Sequence, residues 1–282
     1  MLKDGITEIE IKKIFSNTAL KTEYLSILFS TTNSNNSVEK TIAKINKQII
    51  DTWEYNTSKT ILREMYKRSD KYIKCRQCGN QIQEAIQNWD DNNIGEFSWP
   101  FSAMLFDQRA HQINRMDISE EDKDKLLASE VKRFRRIKDI NAKRNDYIEY
   151  LIFEYNENVI PTFTNSKGVD YYINGEPFDQ KTSKSVGANF IQRYGDNYRE
   201  IAINNPELAA ESLYEFQDES RFGDEARVLV IYLDQNVSVE RTKEIILSTH
   251  FEAPINFSFE YHHSGNRVQR HNTSCFVVLI RN

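Results

Sequence analysis

The amino-acid sequence predicts a mixed α/β (α+β) protein whose amino-terminal part is mostly helical. Asn174-Gly175, the dipeptide that most strongly indicates a tight hairpin, lies between two short runs rich in β-branched and aromatic residues. Residues 226–234 form a near-continuous apolar run, which is typical of a strand buried on both faces. Apolar residues at helical spacing recur before residue 116.

The composition is that of a globular protein. The chain has 282 residues, enough for a sizeable core, and a formal net charge of −5. A protein whose whole surface binds nucleic acid is normally basic. Because this chain is mildly acidic, we expect any nucleic-acid binding to be confined to a local positive cleft. No apolar leader follows Met1 and no run approaches the length of a membrane span, so we expect a cytoplasmic protein.

Three apolar stripes define a helical region at residues 1–116, and we interpret them as core. They are Ile42, Ile45, Ile49 and Trp53 after the candidate N-cap Ser37; Ile61, Leu62, Met65 and Tyr66; and Ile82, Ala85, Ile86 and Trp89. Polar segments at residues 33–36 and 90–95, and the Trp99-Pro100 dipeptide, are predicted to separate the helices.

Cys75 and Cys78 have a spacing that resembles half of a zinc knuckle. A closed zinc site needs four ligands, and the chain has no second pair of this kind. We therefore interpret the pair as ordinary thiols and leave zinc binding open.

Residues 119–155 are predicted to be strongly helical, and Ser119 with Asp122 approximates a capping box. This is the most basic segment of the chain, with Lys132, Arg133, Arg135, Arg136, Lys138, Lys143 and Arg144. The positive charges fit either a solvated helix face or contacts to nucleic-acid phosphates, and both interpretations stay open.

The Asn174-Gly175 hairpin is the centre of the functional prediction. A type I′ turn there pairs Ile173 with Glu176 and places Asp170 opposite Asp179. Opposed residues project from one face with Cβ atoms about 4.5–5.5 Å apart, and Lys181 shares that face. Opposed like charges destabilise a hairpin, and a divalent cation such as Mg²⁺ would offset the repulsion. The alternative is an exposed hairpin whose acids point into water.

Asp170 followed by Asp179, Gln180 and Lys181 resembles the active-site signature of the PD-(D/E)XK nuclease superfamily, which includes most type II restriction endonucleases. Val169 stands where the family name has proline, and Asp179 where most members have glutamate. The predicted order of helix, hairpin, helix and buried strand agrees with the family. The resemblance implies a restriction-endonuclease-like core at residues 117–282, with a mixed central sheet flanked by helices.

The resemblance also implies Mg²⁺-dependent hydrolysis of double-stranded DNA. Asp170, Asp179 and the backbone carbonyl of Gln180 would bind Mg²⁺, and Lys181 would orient or help deprotonate the attacking water. A glutamate on the preceding helix would hold a second metal or a metal-bound water. Glu149 is preferred for this role and Glu154 stays open. Many members are homodimers that match palindromic sites, and the helical region is then a candidate DNA-recognition or dimerisation subdomain.

Further elements are predicted after the hairpin. A polar loop leads into a helix ending near Tyr198, and a second helix covers residues 206–216. Residues 218–224 form a charged link into the buried strand. An amphipathic helix at 238–249 precedes a half-buried strand at 255–261, a turn at 262–267 and a strand at 268–281 with residues 276–280 buried.

Two groups of polar residues are candidates for contacting DNA, because Asn and Gln can recognise adenine and Arg can recognise guanine. The first follows the hairpin and the second lies at the tip of the last two strands: Lys184, Asn189, Gln192 and Arg193; and Arg267 and Arg270 with His262, His263 and His271. The alternative for the second group is an ordinary exposed hairpin tip.

Other functions remain open. A repair or defence nuclease of the same superfamily would share this chemistry, whereas a non-catalytic nucleic-acid-binding or interaction module would not need it. The chain has no G-x-x-x-x-G-K-[ST], G-x-S-x-G or H-E-x-x-H motif, which disfavours unrelated enzymes.

Overall fold

A computed structural model describes residues 13–31, 55–91, 103–163, 168–217, 222–234, 237–263 and 267–282. Before residue 116 the described chain is helical, as predicted. Its helices are α1 (Thr18–Thr31), α2 (Tyr55–Lys67), α3 (Asp70–Asp91) and α4 (Ala103–Asn114). The first predicted stripe, its cap at Ser37, the break at 33–36 and Trp99-Pro100 lie outside the described residues. Asp90 and Asp91, the first two residues of the break predicted at 90–95, belong to α3, so that part of the prediction is wrong, and the rest of the predicted break lies outside the described residues.

The stripe on α2 is buried as predicted, since Ile61, Leu62, Met65 and Tyr66 are each 1% exposed. On α3, Ile82 and Trp89 are 1% and 2% exposed, whereas Ala85 and Ile86 are only partly buried. None of the described helices is long and apolar enough to cross a membrane.

The longest helix, α5 (Glu120–Tyr155), has 36 residues. The side chain of its N-cap Ser119 accepts a hydrogen bond from the backbone of Asp122 at 3.2 Å, which confirms the predicted start. Its buried residues all lie in the carboxyl-terminal half, from Ile137 onward, where α5 packs against α3 and the sheet.

The sheet of the described chain has six strands: β1 (Val159–Pro161), β2 (Tyr171–Ile173), β3 (Glu176–Ser183), β4 (Arg227–Tyr232), β5 (Ile255–His263) and β6 (Arg267–Ile280). Their order is β1-β2-β3-β4-β6-β5, with β3, β4 and β6 parallel and the outer pairs antiparallel. All of β4 is buried, as its apolar sequence predicts. The protein is therefore mixed α/β with a mixed sheet.

The hairpin turn between β2 and β3 confirms the prediction. Asn174 and Gly175 have φ values of 50° and 92°, the positive values that a type I′ turn requires. Ile173 pairs with Glu176, and the ladder runs back to the pair of Tyr171 and Phe178.

Helices cover both faces of the sheet. One face packs against α3, α5 and α9 (Val239–Ser248), and the other against α6 (Ala188–Tyr194), α7 (Tyr198–Asn204) and α8 (Pro206–Glu215). The predictions for α8 and α9 are confirmed. The single helix predicted to end near Tyr198 is wrong, because Gly195 (φ 54°) begins a short 3-10 turn and α7 then continues to Asn204.

Two details near the carboxyl terminus also differ from prediction. The strands extend further into the predicted turn, with His263 still in β5 and Arg267 already in β6. Residues 276–280 alternate between buried and half-buried, because Val277 and Leu279 face the α6–α8 side and are only partly covered there.

Candidate functional site

Asp170 lies immediately before β2 and holds the neighbouring strand at two points. Its backbone N–H donates to the carbonyl of Phe178 at 2.8 Å. Its carboxylate Oδ2 accepts a hydrogen bond from the backbone N–H of Gln180 at 2.7 Å. These bonds flank Asp179 in the sequence of β3, so the structure brings the two predicted acids together.

The second acid, Asp179, lies in a partly desolvated and negatively charged environment. Burial, followed by repulsion from Asp170, raises the pKa of its carboxyl above the usual range, while Lys181 and Arg227 oppose the shift. The net direction is upward, so the two nearby cations do not fully offset the burial and repulsion. A bound cation would relieve both, as the sequence predicts.

The side chain and the backbone of Gln180 have different hydrogen-bond partners. Its side chain accepts a hydrogen bond from the hydroxyl of Tyr171 and donates to the carbonyl of Asn145 on α5 at 3.4 Å. The backbone N–H of Asp179 donates to Ala226, before β4, so the N–H and carbonyl of Gln180 point to the other side, where Asp170 lies. The predicted carbonyl ligand is on the Asp170 side.

Lys181 is exposed two residues after Asp179 on the same strand. Its effect on the pKa of Asp179 places its charge within electrostatic reach of that carboxylate. The structure therefore groups two carboxylates, one backbone carbonyl and one ammonium at the edge of the hairpin.

The two candidate glutamates of α5 have different surroundings. Glu149 is 9% exposed, and its Oε1 accepts from the hydroxyl of Tyr66 at 2.9 Å and lies 2.5 Å from Nζ of Lys71. Burial raises its pKa most, and Asp170 adds to the rise. Glu154 instead accepts a hydrogen bond from Tyr72 at 3.0 Å. The coupling with Asp170 connects Glu149 to the hairpin acids.

Sequence reasoning missed Arg227, the first residue of β4. Its side chain is 5% exposed, and its Nε lies 3.9 Å from Oδ2 of Asp179. Its guanidinium donates to Gln217 at 2.8 Å and to Glu225 at 3.3 Å, and stacks on the ring of Tyr214 at 4.6 Å. A signal was present, because a charged residue that opens an apolar strand needs a buried partner. Tyr66 and Lys71 were also missed, and no local pattern marks them.

The predicted DNA-contacting residues after the hairpin are exposed. Asn189, Gln192 and Arg193 line one surface groove between α6 and α8, and Lys184 is exposed on the loop before them. This arrangement allows them to meet one ligand.

The second predicted group is only partly at the surface. Arg267 and Arg270 are exposed on β6. His271 is 9% exposed, stacks on Phe259 and pairs with Asp224 at 2.9 Å. Placing it at the exposed tip was wrong, because the aromatic side chains and Asp224 draw it into the interior.

The structure also shows where the basic residues of α5 and the two cysteines of α3 lie. On α5, Arg144 is 7% exposed and so does not belong to a phosphate-contacting face, whereas Lys132, Arg135 and Lys138 are exposed. Cys75 and Cys78 are buried on α3, and burial raises the pKa of both thiols, that of Cys75 to about 12. At neutral pH both are therefore protonated thiols rather than the thiolates that zinc prefers.

The donor set at the hairpin suits a hard cation. Carboxylate and carbonyl oxygens are the ligands that Mg²⁺ takes in proteins. Within the described ranges, no three acidic, histidine or cysteine side chains are grouped as a ready-made metal site. The set that fits Mg²⁺ consists of two carboxylates and a backbone carbonyl.

No protein-family model, curated protein or solved structure is significantly similar to this chain. The chemistry of the site itself is therefore the basis for a functional assignment.

Proposed function

We propose that this protein is a cytoplasmic, Mg²⁺-dependent endonuclease that hydrolyses phosphodiester bonds of double-stranded DNA, acting as a type II site-specific restriction endonuclease. The main support is the pair of acids Asp170 and Asp179, which repel each other electrostatically, with Lys181 on the same strand as Asp179. Asp170 is fixed by a hydrogen bond from Gln180, and Asp179 is destabilised as an anion by burial and by Asp170. An arrangement of like charges that burial makes worse is unfavourable unless a cation binds there.

Each residue of the site has its own role in the proposed hydrolysis. Asp170, Asp179 and the carbonyl of Gln180 would hold Mg²⁺, which when bound supplies a water of lowered pKa and positive charge near the scissile phosphate. Lys181 orients the attacking water and stabilises the negative charge that develops on the phosphate oxygens. Glu149 supplies a further carboxylate for a second ion or a water. Hydrolysis proceeds without a covalent intermediate on the protein.

We assign DNA binding to the exposed residues that the sequence predicts to contact DNA. Lys184 and Arg193 contact phosphates, and Asn189 and Gln192 contact base edges from the α6–α8 groove. Arg267 and Arg270 add contacts from the β5–β6 hairpin. A homodimer would place two such surfaces on a palindromic site.

The competing function is a non-catalytic nucleic-acid-binding module. One observation favours it: the carboxylate of Asp170 already accepts a backbone hydrogen bond inside the hairpin, which is a structural role in its own right. In that case Asp170, Asp179 and Lys181 can be replaced without loss of function.

The test is incubation of the purified protein with unmethylated phage DNA in Mg²⁺ and in EDTA, beside Asp179→Ala and Lys181→Ala. Discrete fragments that require Mg²⁺ and disappear in both variants support the proposal. A smear with the same dependence keeps the nuclease and removes the restriction enzyme, leaving a repair or defence nuclease. No cutting by the parent on several DNAs favours the binding module.

A further inference from the structure

Two residues of the helical region converge on the acid of α5. Tyr66, at the end of α2, donates its hydroxyl to Oε1 of Glu149 at 2.9 Å. Lys71, at the start of α3, places Nζ 2.5 Å from the same oxygen. They are 83 and 78 positions from Glu149 in the sequence, so this contact depends on how the helical region packs on α5.

The hydroxyl of Tyr66 has a fixed position. The side chain is 1% exposed, and its ring packs edge-on against Phe153 at 4.7 Å and Tyr72 at 5.9 Å. A donor held by its ring in this way orients its acceptor, because neither partner can turn without losing packing. Lys71 is less constrained, since 45% of its side chain is exposed, but it supplies the charge that Glu149 needs.

Charge and burial oppose each other at Glu149. Burial raises its pKa, while the charge and hydrogen bond of Lys71 and the hydrogen bond of Tyr66 lower it. The two donors therefore favour a carboxylate anion in a site that would otherwise favour the neutral acid. Both act on Oε1, so Oε2 takes part in neither of these two contacts.

We propose that Tyr66 and Lys71 are positioning residues that hold Glu149 beside Asp170 with Oε2 directed to a divalent cation or its bound water. The helical region thus completes the catalytic site, in addition to any part in DNA recognition. This inference rests on the proposed nuclease function.

Helix α3 offers a control for each proposed residue. Tyr72 donates its hydroxyl to Glu154 on α5 at 3.0 Å, and Lys74 pairs with Asp146 on α5 at 3.5 Å. Each control repeats the chemistry of a proposed positioning residue on a carboxylate of α5 other than Glu149. Lys74 also lies on the same helix as Lys71, whereas Tyr66 lies on α2.

The experiment compares Tyr66→Phe with Tyr72→Phe, and Lys71→Met with Lys74→Met. Residues that orient metal ligands typically change metal affinity or activity by about 10–100-fold when replaced. We expect the Mg²⁺ concentration for half-maximal DNA cleavage to rise about 10-fold in Tyr66→Phe and Lys71→Met, with Lys71→Arg recovering most of the loss. Calorimetric titration with Mn²⁺, without DNA, should show the same weakening, while both controls match the parent.

Thermal unfolding of all variants separates positioning from folding. Tyr66→Phe and Lys71→Met each remove a donor from buried Glu149, so we expect them to melt at lower temperatures than their controls, and ion dependence is therefore compared well below every melting temperature. Equal ion dependence in Tyr66→Phe, Lys71→Met and their controls, in a parent that cleaves DNA, overturns the inference alone. Weaker Mn²⁺ binding in Tyr72→Phe than in Tyr66→Phe would transfer the role to Glu154 and also overturn it. A parent that neither binds Mn²⁺ nor cleaves DNA overturns the proposed function and this inference together.

Discussion

Two antiparallel hairpins of the sheet, β2–β3 and β5–β6, arrange their charged residues in opposite ways. In the hairpin of β5 and β6, Arg270 lies opposite Glu260, and His271 pairs with Asp224 at 2.9 Å. In the hairpin of β2 and β3, Asp170 and Asp179 bring like charges together, and burial and repulsion raise the pKa of Asp179. On the first hairpin a basic residue lies opposite an acidic one, whereas the second brings together like charges that repel each other.

This difference indicates where function is located. Opposite charges across a hairpin stabilise it and like charges destabilise it. A fold that holds two acids together gives up stability at that point, which proteins tolerate where the strained arrangement has a use. The β2–β3 hairpin is therefore the candidate site, and the β5–β6 hairpin is a structural element with exposed arginines.

The largest expected effect is on the opposed acids. Asp170→Asn and Asp179→Asn should each lower the rate of Mg²⁺-dependent DNA cleavage by about 1,000-fold, because metal ligands account for several kcal/mol of transition-state stabilisation. Asp224→Asn, which removes the acid that pairs with His271 of the other hairpin, should stay within about threefold of the parent. Initial rates on a plasmid substrate measure all three, and equal losses in all would remove the distinction between the hairpins.

Lys181 comes next. Lys181→Ala should lower the cleavage rate by about 100-fold with little change in the Mg²⁺ concentration needed, because the lysine stabilises charge on the phosphate and does not bind the ion. The exposed Lys125, which pairs with Glu121 at 2.8 Å on α5, gives the control variant Lys125→Ala. If the Mg²⁺ requirement shifts and the maximal rate does not, Lys181 has another role.

Arg227 tests how the site is supported. Arg227→Lys keeps the charge but loses the fork that reaches Gln217 and Glu225, so we expect about 10-fold slower cleavage and a free energy of unfolding lower by about 1–3 kcal/mol. Urea unfolding and initial rates check the two effects. An unchanged rate in a destabilised protein would limit Arg227 to a structural role.

The exposed arginines of the β5–β6 hairpin should have a smaller, binding-only effect. Arg267→Ala with Arg270→Ala should weaken DNA affinity a few-fold at moderate salt and reduce the slope of log affinity against log salt by about 2. Fluorescence anisotropy at several salt concentrations measures this slope. Wild-type affinity and slope in the double variant would show that this hairpin does not contact DNA.

The smallest expected effect is on stability. The folded-state pKa of Asp179 is raised, so the folded protein binds more protons than the unfolded chain between the ordinary and the raised pKa, and stability falls as pH rises through that window. In EDTA at pH 7, Asp179→Asn should therefore melt at a higher temperature than the parent. The difference should disappear at about pH 3, below the ordinary aspartate pKa of about 3.9, where the acid is mostly protonated in both states. Lower stability of the variant at pH 7 would mean that Asp179 is not electrostatically strained.

The elements predicted correctly are those with a local cause. The turn at Asn174-Gly175 follows from two positive φ values, α5 begins where Ser119 caps it, and β4 follows from its apolar sequence. The observed ladder ends at Tyr171 and Phe178, and Asp170 just before it bonds to Phe178 and Gln180 on either side of Asp179, so the nearness of the two acids follows from the predicted turn.

The rest depends on contacts that no local pattern records. His271 is covered by the rings of Phe222 and Phe259, and its partner Asp224 comes from the segment before β4, 47 positions away. Tyr66 and Lys71 reach Glu149 only because α2 and α3 pack on α5. The helix break at Gly195 needed a glycine at positive φ, which the sequence permits but does not require.

The most direct test of the central claim is calorimetric titration of Mg²⁺ into the parent, Asp170→Asn, Asp179→Asn and Asp224→Asn, without DNA. The account predicts a binding isotherm in the parent and in Asp224→Asn that is lost in both variants of the β2–β3 hairpin. The same isotherm in all four proteins would contradict the assignment of this hairpin as the cation site.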